Sequence, residues 1–544
     1  MSGTIKTNIL LCIVFNTVLE INGKAIMDHL FPLHIVHYND FHSRFEETSV
    51  KFPLCKTNDS ECLGGFPRLF HEIVTLKEQY PDALVLDAGD CFQGTYWYTI
   101  LKWNVTQYFI NMLPNDAHAL GNHEFDDGIP GLVPYLKALK APTLAANLDT
   151  SKEPTMEGLY QPHIIVERNG RKIGIIGLVT TETQTSSNPQ KTVFLDPIPV
   201  VQREAELLKN QGVDIIIVLS HCGLEVDKTM AKTVGENIDI IVGGHTHSLL
   251  WNGPSPSNET ISGPYPVLIE SMGTPGHKVL VVTASAFTKY LGNITIYFDE
   301  HGELQSFVGS PIFLNRSIPE DSKVKELMDP IKEKLHDLVN EVVGYTNEDM
   351  ILDTCASQEC ALGNLVTDAF MDLGKHVPTN LSHVAIILRA NMRASIPKGS
   401  ITRGTLINVS PFTNKVMSFI LPGRHLLEAL DRTMTNFWVH KPFVGPWIPH
   451  VAGLKLTLNA TSGRTVSVLV REGDEYCPLS PDKDYRVVTL DFYLRGGSGF
   501  KMIQDNYHDA QHLGQSEKVV EEYVKKISPI NPNMLLENRL TIVS

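Results

Sequence analysis

Over residues 33–282, short apolar runs alternate with stretches of helical character. The runs LHIVHY, ALVLDA, HAL, KIGIIGLV, DIIIVLS and DIIVGG have the length and β-branched content of buried strands. The stretches 68–79, 131–139 and 199–211 read as helices. This alternation predicts an α/β layered domain. A strand hairpin is expected over 279–299. The string Ser317-Ile318-Pro319-Glu320-Asp321 then reads as a helix start. The helix that it opens, rich in Lys and Glu and reaching about residue 343, is a candidate connector to a second α/β region. The expected division is 24–318, a connector at 319–343, and 344–544.

Composition narrows the class. With 544 residues, 42% hydrophobic and 20% charged, the chain has the makeup of a multidomain globular protein. Its net charge of −15 argues against nucleic acid as a partner, because phosphate backbones need basic surface. Anionic nucleotides remain open to an acidic enzyme if metal ions supply local positive charge. Lys6 followed by ILLCIVFNTVL, with Gly23 as a cleavage point, reads as a secretory signal over 1–23. No later segment has the roughly 18 apolar residues of a membrane helix, and 536–544 lacks a lipid-anchor signal, so a soluble secreted protein is expected. Sequons at Asn58, Asn104, Asn258, Asn293, Asn315, Asn380, Asn408 and Asn459 fit a glycosylated, exported chain. Cys55 with Cys62, and Cys355 with Cys360, are spaced to close small disulfide loops. Cys91, Cys222 and Cys477 are left over.

Chemistry concentrates where apolar runs end. The ends are Asn39-Asp40-Phe41-His42, Asp87-Ala88-Gly89-Asp90, Gly121-Asn122-His123-Glu124, Ser220-His221 and Gly243-Gly244-His245-Thr246-His247. In open α/β sheets, sites form beyond the carboxyl ends of the strands, so these side chains can converge. Carboxylates and imidazoles suit zinc, manganese or iron, and one carboxylate can bridge two ions. The glycines allow sharp turns beside them.

These strings carry a resemblance. The ordered set DxH, GD, GNHE, a strand-ending His and GHTH is similar to the calcineurin-like metallophosphoesterase signature. NDFHSR, LDAGDCFQGT, ALGNHEFDDG, LNRSIPED, ECALGNLVTDA and GGSGFKMI resemble the 5′-nucleotidase/apyrase family, including its soluble salivary apyrases, over nearly the whole mature chain. The resemblance implies a four-layer N-terminal domain, with two packed sheets flanked by helices. It also implies a smaller C-terminal α/β domain that binds the nucleoside. It implies two divalent ions, zinc first, with magnesium, manganese or calcium as alternatives. Asp40, His42, Asp90 and His247 would hold one ion. Asp90, Asn122, His221 and His245 would hold the other. His123 matches the family's catalytic His and Asp126 the acid that orients it; Arg393 matches a phosphate-binding Arg, and Phe412 and Phe492 the base-sandwiching aromatics.

Three positions depart from the family pattern. Ala356 replaces an Arg after the first Cys of the family's Cys loop, Leu388 replaces the Asn of an NGGGIR-like turn, and Ser498 replaces a ribose-binding Asp. Arg389 stands among the lost glycines. The expected activity is hydrolysis of ATP and ADP to AMP, which would remove extracellular ADP and so restrain platelet aggregation. AMP hydrolysis and binding to a platelet integrin or fibrinogen are the alternatives. Cys91 and Cys222 each follow an expected metal ligand, so they are read either as a bridge between two site loops or as two separate buried thiols.

Overall fold

The computed structural model describes residues 29–544 apart from 51, 53, 54, 56–60, 440–447, 460, 461, 463 and 544. The expected signal over 1–23 and the sequon at Asn58 lie outside the described residues.

Two sheets form the N-terminal half. In the first, strands Phe31–Tyr38, Leu84–Asp87, Ala117–Ala119 and Thr143–Leu144 run parallel side by side. Tyr290–Phe298 and Leu304–Gly309 extend it antiparallel. In the second, Arg171–Val179, Ile215–His221, Ile240–Gly243 and Lys278–Val282 are parallel, with antiparallel edges at His163–Arg168 and Val267–Glu270. Ile35, Leu86 and Ala117 of one sheet and Ile175, Ile217 and Val242 of the other share one buried cluster, so the sheets pack face to face. Helices Phe66–Gln79 and Trp103–Ile110 cover the outside of the first sheet. Pro197–Asn210 and Leu224–Val234 cover the second. The result is helix, sheet, sheet, helix. Strands buried on both faces explain the near-continuous apolar runs.

The expected hairpin over 279–299 is not formed. Lys278–Val282 joins the second sheet, whereas Tyr290–Phe298 crosses to the first and pairs with Phe31–Tyr38. Ser285, Phe287 and Thr288 between them take positive φ, and Phe287 donates its N–H to Asp40 O at 2.8 Å.

Helix Ser322–Val339 starts at Asp321, whose carboxylate accepts from Val324 N–H at 2.8 Å. Its Val324, Met328, Leu335 and Val339 pack into the core of the N-terminal half, joined by Ile407 from the far half. The C-terminal half has its own core around a five-stranded sheet, Pro449–Ala452, His383–Leu388, Asp484–Leu490, Lys415–Pro422 and His508–Gln515 in that order. Tyr96 N–H donates to Asn408 Oδ1 at 2.8 Å and Thr99 Oγ1 to Pro411 O at 2.9 Å, tying the halves together. Asn408 is therefore a structural side chain, 1% exposed, and the sequon there is closed to a glycan. Asn293 sits inside a strand with its Oδ1 shut off from solvent. Asn104, Asn258 and Asn380 are exposed, and Asn315 and Asn459 are half-buried.

Disulfides join Cys55 to Cys62 and Cys355 to Cys360. Cys91 and Cys222 are free and buried. The Cys91 thiol donates to Asp87 Oδ2 at 3.1 Å, and burial together with that carboxylate pushes its pKa well up. The separate-thiol reading therefore holds in this structure.

Candidate metal centre and active site

Each expected ligand lies where a parallel strand stops. Asp40 and His42 follow Phe31–Tyr38, Asp90 follows Leu84–Asp87, and Asn122 and His123 follow Ala117–Ala119. His221 closes Ile215–His221, and His245 and His247 follow Ile240–Gly243. The chain leaves the strands by left-handed steps, with φ of 50° at Asp40, 47° at His42, 59° at Asp90, 77° at His245 and 51° at His247. Non-glycine residues rarely adopt that region, and its cost of about 1–3 kcal/mol each is carried where surrounding contacts enforce it. Gly121 shows how close the approach is: a Cβ there would lie 2.1 Å from Asp90 Oδ1.

The side chains converge. His247 Nε2 lies 3.2 Å from Asp40 Oδ1 and 3.1 Å from His42 Nε2. His42 Nε2 lies 3.8 Å from Asp40 Oδ1 and 3.7 Å from Asp90 Oδ2. His221 Nε2 lies 3.1 Å from Asp90 Oδ2. Ligand atoms of Asp40, His42 and His247 form one cluster within 4.8 Å, and those of Asp90, His221 and His245 form another. Burial alone would raise the Asp40 carboxyl, but the His247 and His221 imidazoles hold it at about 2. Asp90 is likewise held well below the usual carboxylate range by His221, His123 and His42, against the pull of burial.

Outer contacts aim these groups. His42 Nδ1 faces Phe92 O at 3.1 Å and His221 Nδ1 faces Ala88 O at 2.6 Å, which turns each Nε2 inward. His245 Nε2 meets Glu182 Oε2 at 3.3 Å. Asn39 Nδ2 donates to Asp40 Oδ2 at 2.6 Å, and His245 N–H donates to the same oxygen at 2.9 Å. His123 Nδ1 faces Asp126 Oδ2 at 2.6 Å, and Ser187 Oγ donates to Asp126 Oδ1 at 2.6 Å.

Sequence reasoning set Glu124 among the strand-end groups but gave it no role of its own. Its carboxylate accepts the N–H groups of Asp90 at 3.0 Å, Cys91 at 2.7 Å, Phe92 at 3.0 Å and Gly121 at 2.6 Å. It staples the Asp90 loop to the Asn122 loop. An acid directly after Asn122-His123 was the available signal, but nothing in spacing says that backbone amides surround it.

The C-terminal half closes over this centre. Arg393 Nη2 donates to His123 Nε2 at 3.0 Å, and the Phe412 ring stacks on His123 with centroids 5.9 Å apart. The Arg393 guanidinium also lies 5.7 Å from the Phe412 ring centre. Phe412 and Arg393 are thus at the site, Phe412 covering the imidazole in this arrangement. Phe492 packs half-buried against the C-terminal core, 5.6 Å from the Tyr493 ring and so close to Gly497 that a Cβ there would overlap it.

Residues 33–249 match the family calcineurin-like phosphoesterase, and residues 342–505 match the 5′-nucleotidase C-terminal domain. An apyrase of Tabanus yao is 42% identical over 92% of this chain and 92% of its own length. A 5′-nucleotidase of Rattus norvegicus is 36% identical over 92% of this chain and 89% of its own. The crystal structure of a 5′-nucleotidase precursor from Thermus thermophilus superposes with a TM-score of 0.86 at 31% identity, covering 94% of this chain and 99% of that one. The chain belongs to the 5′-nucleotidase/apyrase family.

Membership makes it a nucleotide phosphohydrolase, and the family's fold implies divalent metal ions. The residues fit such ions. Asn122 Oδ1 is buried with no hydrogen-bond partner, and Asp40 Oδ1 and His221 Nε2 are buried with only the poorly directed 3.2 and 3.1 Å contacts above, a costly state for polar atoms unless a cation takes their lone pairs. Ligands about 2.1 Å from an ion stand roughly 3–3.4 Å apart at octahedral or tetrahedral angles. The 3.1 and 3.2 Å separations above match that spacing. Among the described residues, no helix of this 5′-nucleotidase relative is long and apolar enough to cross a membrane.

Proposed function

We propose that this protein is a secreted apyrase that takes ATP and ADP to AMP, and so removes ADP from the extracellular space. Two divalent ions, zinc first, would be held by Asp40, His42, Asp90 and His247 and by Asp90, Asn122, His221 and His245, with Asp90 shared. Bound there, they supply Lewis acidity, positive charge at the phosphoryl oxygens and a lowered water pKa. The chain's own residues do the rest. Asp126 holds a proton of His123 on Nδ1, and the Asp126 and Asp90 carboxylates raise the imidazole's pKa against the pull of burial, so that the ring would also carry a proton on Nε2, the nitrogen that faces Arg393. A phosphoryl group that displaced the Arg393–His123 contact would accept from both groups, one from each half of the molecule. Phe412, stacked on His123, would cover a phosphoryl group held there and limit its access to bulk water.

The observation that supports this reading is the Arg393–His123 contact at 3.0 Å, because a guanidinium beside the clustered ligands is suited to bind phosphate there. The departures at Ala356, Leu388 and Ser498 point to weaker and broader nucleoside discrimination than in a relative with the full pocket. Phosphate release from ATP, ADP, GTP and AMP, with and without chelator, is the test. Cleavage of ATP and ADP that stops at AMP and is lost on chelation is expected. Preferential cleavage of AMP would make the protein a 5′-nucleotidase instead. Nothing among the described residues favours an integrin or fibrinogen as partner.

A further inference from the structure

A second guanidinium shares the turn that carries Arg393. Strand His383–Leu388 ends in a single helical turn, Arg389–Asn391, at the place where the family pattern has glycines. The turn is pinned. The Tyr493 hydroxyl accepts Leu388 N–H at 2.9 Å and donates to Asn391 Oδ1. Arg389 N–H reaches Ile448 O at 3.0 Å, and Met392 N–H returns to Arg389 O at 3.0 Å. Tyr493 is 1% exposed, so the lock is internal and the two arginines are presented from a rigid frame.

Arg389 is incompletely satisfied. Its Nε is buried with no hydrogen-bond partner. Its Nη2 is 3.7 Å from Asp353 Oδ1, beyond hydrogen-bond reach, and the Asp353 side chain is 79% exposed. Burial and the neighbouring Arg393 charge bring its pKa down to about 10, still far above neutrality. The two cations have different surroundings. Arg393 Nη2 meets His123 Nε2 at 3.0 Å, whereas the Arg389 guanidinium turns toward Asp353 at 3.7 Å. Arg389 therefore stands behind Arg393 as seen from His123. Asp353 opens the turn that ends at Ala356, so the Arg389 guanidinium reaches toward the segment where the family's arginine is missing. A half-buried cation with a buried, unused Nε–H, four residues before Arg393 on a pinned stretch of chain, is complementary to a second anionic group next to the one held by Arg393.

We propose that Arg389 binds the phosphate adjacent to the one being transferred, and so selects nucleoside di- and triphosphates over monophosphates. When the terminal phosphoryl group displaces the His123–Arg393 contact and binds both, ADP and ATP would place a further phosphate in reach of Arg389, and AMP would place none. This rests on the phosphohydrolase reading above. It makes Arg389 a specificity residue and leaves the reacting atoms to His123 and Arg393.

The test is calorimetric binding of adenosine methylenediphosphonate and of AMP to the metal-loaded protein, with steady-state kinetics on ADP and p-nitrophenyl phosphate. Arg389→Ala is expected to weaken the diphosphonate about tenfold to a hundredfold, the range for loss of a charge-assisted contact. AMP affinity and p-nitrophenyl phosphate turnover should change by less than about twofold, since neither ligand reaches Arg389. Arg389→Lys should restore part of the diphosphonate affinity, and Arg389→Gln serves if the alanine variant fails to fold. Equal losses for AMP and diphosphonate would mark a merely structural role and overturn the proposal. Unchanged diphosphonate affinity would overturn it too, as would failure of the wild-type protein to bind the diphosphonate. If the wild-type protein cleaves no phosphate ester, the phosphohydrolase reading falls, while the binding comparison still decides the role of Arg389.

Discussion

Gly121→Ala adds one methyl group and no charge, yet the geometry predicts a severe loss. The new Cβ would stand 2.1 Å from Asp90 Oδ1, 2.5 Å from Asp90 N and 2.7 Å from Asp90 Cγ. Relief to ordinary contact needs a shift of roughly 1 Å or more. Asp90 cannot give that cheaply. Its Oδ1 accepts His123 N–H at 2.9 Å, its N–H is held by Glu124 at 3.0 Å, and its backbone is left-handed at φ 59°. Moving it leaves buried groups unpaired at about 1–3 kcal/mol each. It also displaces the carboxylate proposed to serve both ions, and a misplacement of about 1 Å at a reacting centre costs on the order of a hundredfold in rate. The expected result is a folded protein with less bound metal, melting several degrees lower, and with kcat/KM on ADP down about a hundredfold. Gly263→Ala is the matched control, because its Cβ would meet Leu250 and Val267 at 3.4 Å, an ordinary contact. Metal analysis, calorimetric melting and initial rates report the three quantities. Wild-type metal content and turnover in Gly121→Ala would refute the claim that Asp90 is fixed in place.

Asp90→Asn should lose at least about a hundredfold in activity, more than is usual for an outer contact, and near-normal turnover would exclude a shared-carboxylate centre. Burial lowers His37 to about 3 and His450 to about 4, so both are neutral when folded and protonate first in the unfolded chain. Their stabilising contribution is complete above pH about 6.5 and declines as pH falls toward 4, by up to about 1.4 kcal/mol per unit for each. His37→Gln should flatten melting temperature against pH across that window, and a slope equal to wild type would count against it. Alkylation of the unfolded, unreduced protein should label Cys91, Cys222 and Cys477, since none is bonded in this structure, whereas labelling of Cys477 alone would establish a bridge.

Much of the site was written locally. Strand ends finishing in Asp40, His42, Asp90, Asn122, His221, His245 and His247 are legible because parallel strands put their carboxyl ends on one rim whatever lies between. The same periodicity exposed the α/β layering and helices near 68–79, 131–139 and 199–211, where the structure has Phe66–Gln79, Gly128–Ala138 and Pro197–Asn210. Partner choice across long separations was not legible. Nothing local says that Tyr290–Phe298 leaves its neighbour for a strand near the start of the chain, since two apolar strands with a short link also suit a hairpin. The Asn408 sequon reads as exposed until Tyr96, far away in sequence, occupies its carbonyl. Glu124 looks like one more ligand until four amides from two loops surround it. Arg389 and Arg393 are four residues apart in the sequence, yet one meets His123 and the other Asp353. Residue type and spacing determine which groups are available at each strand end. Only packing of the two halves decides which groups meet, because desolvation and pairing depend on neighbours that the local sequence does not contain.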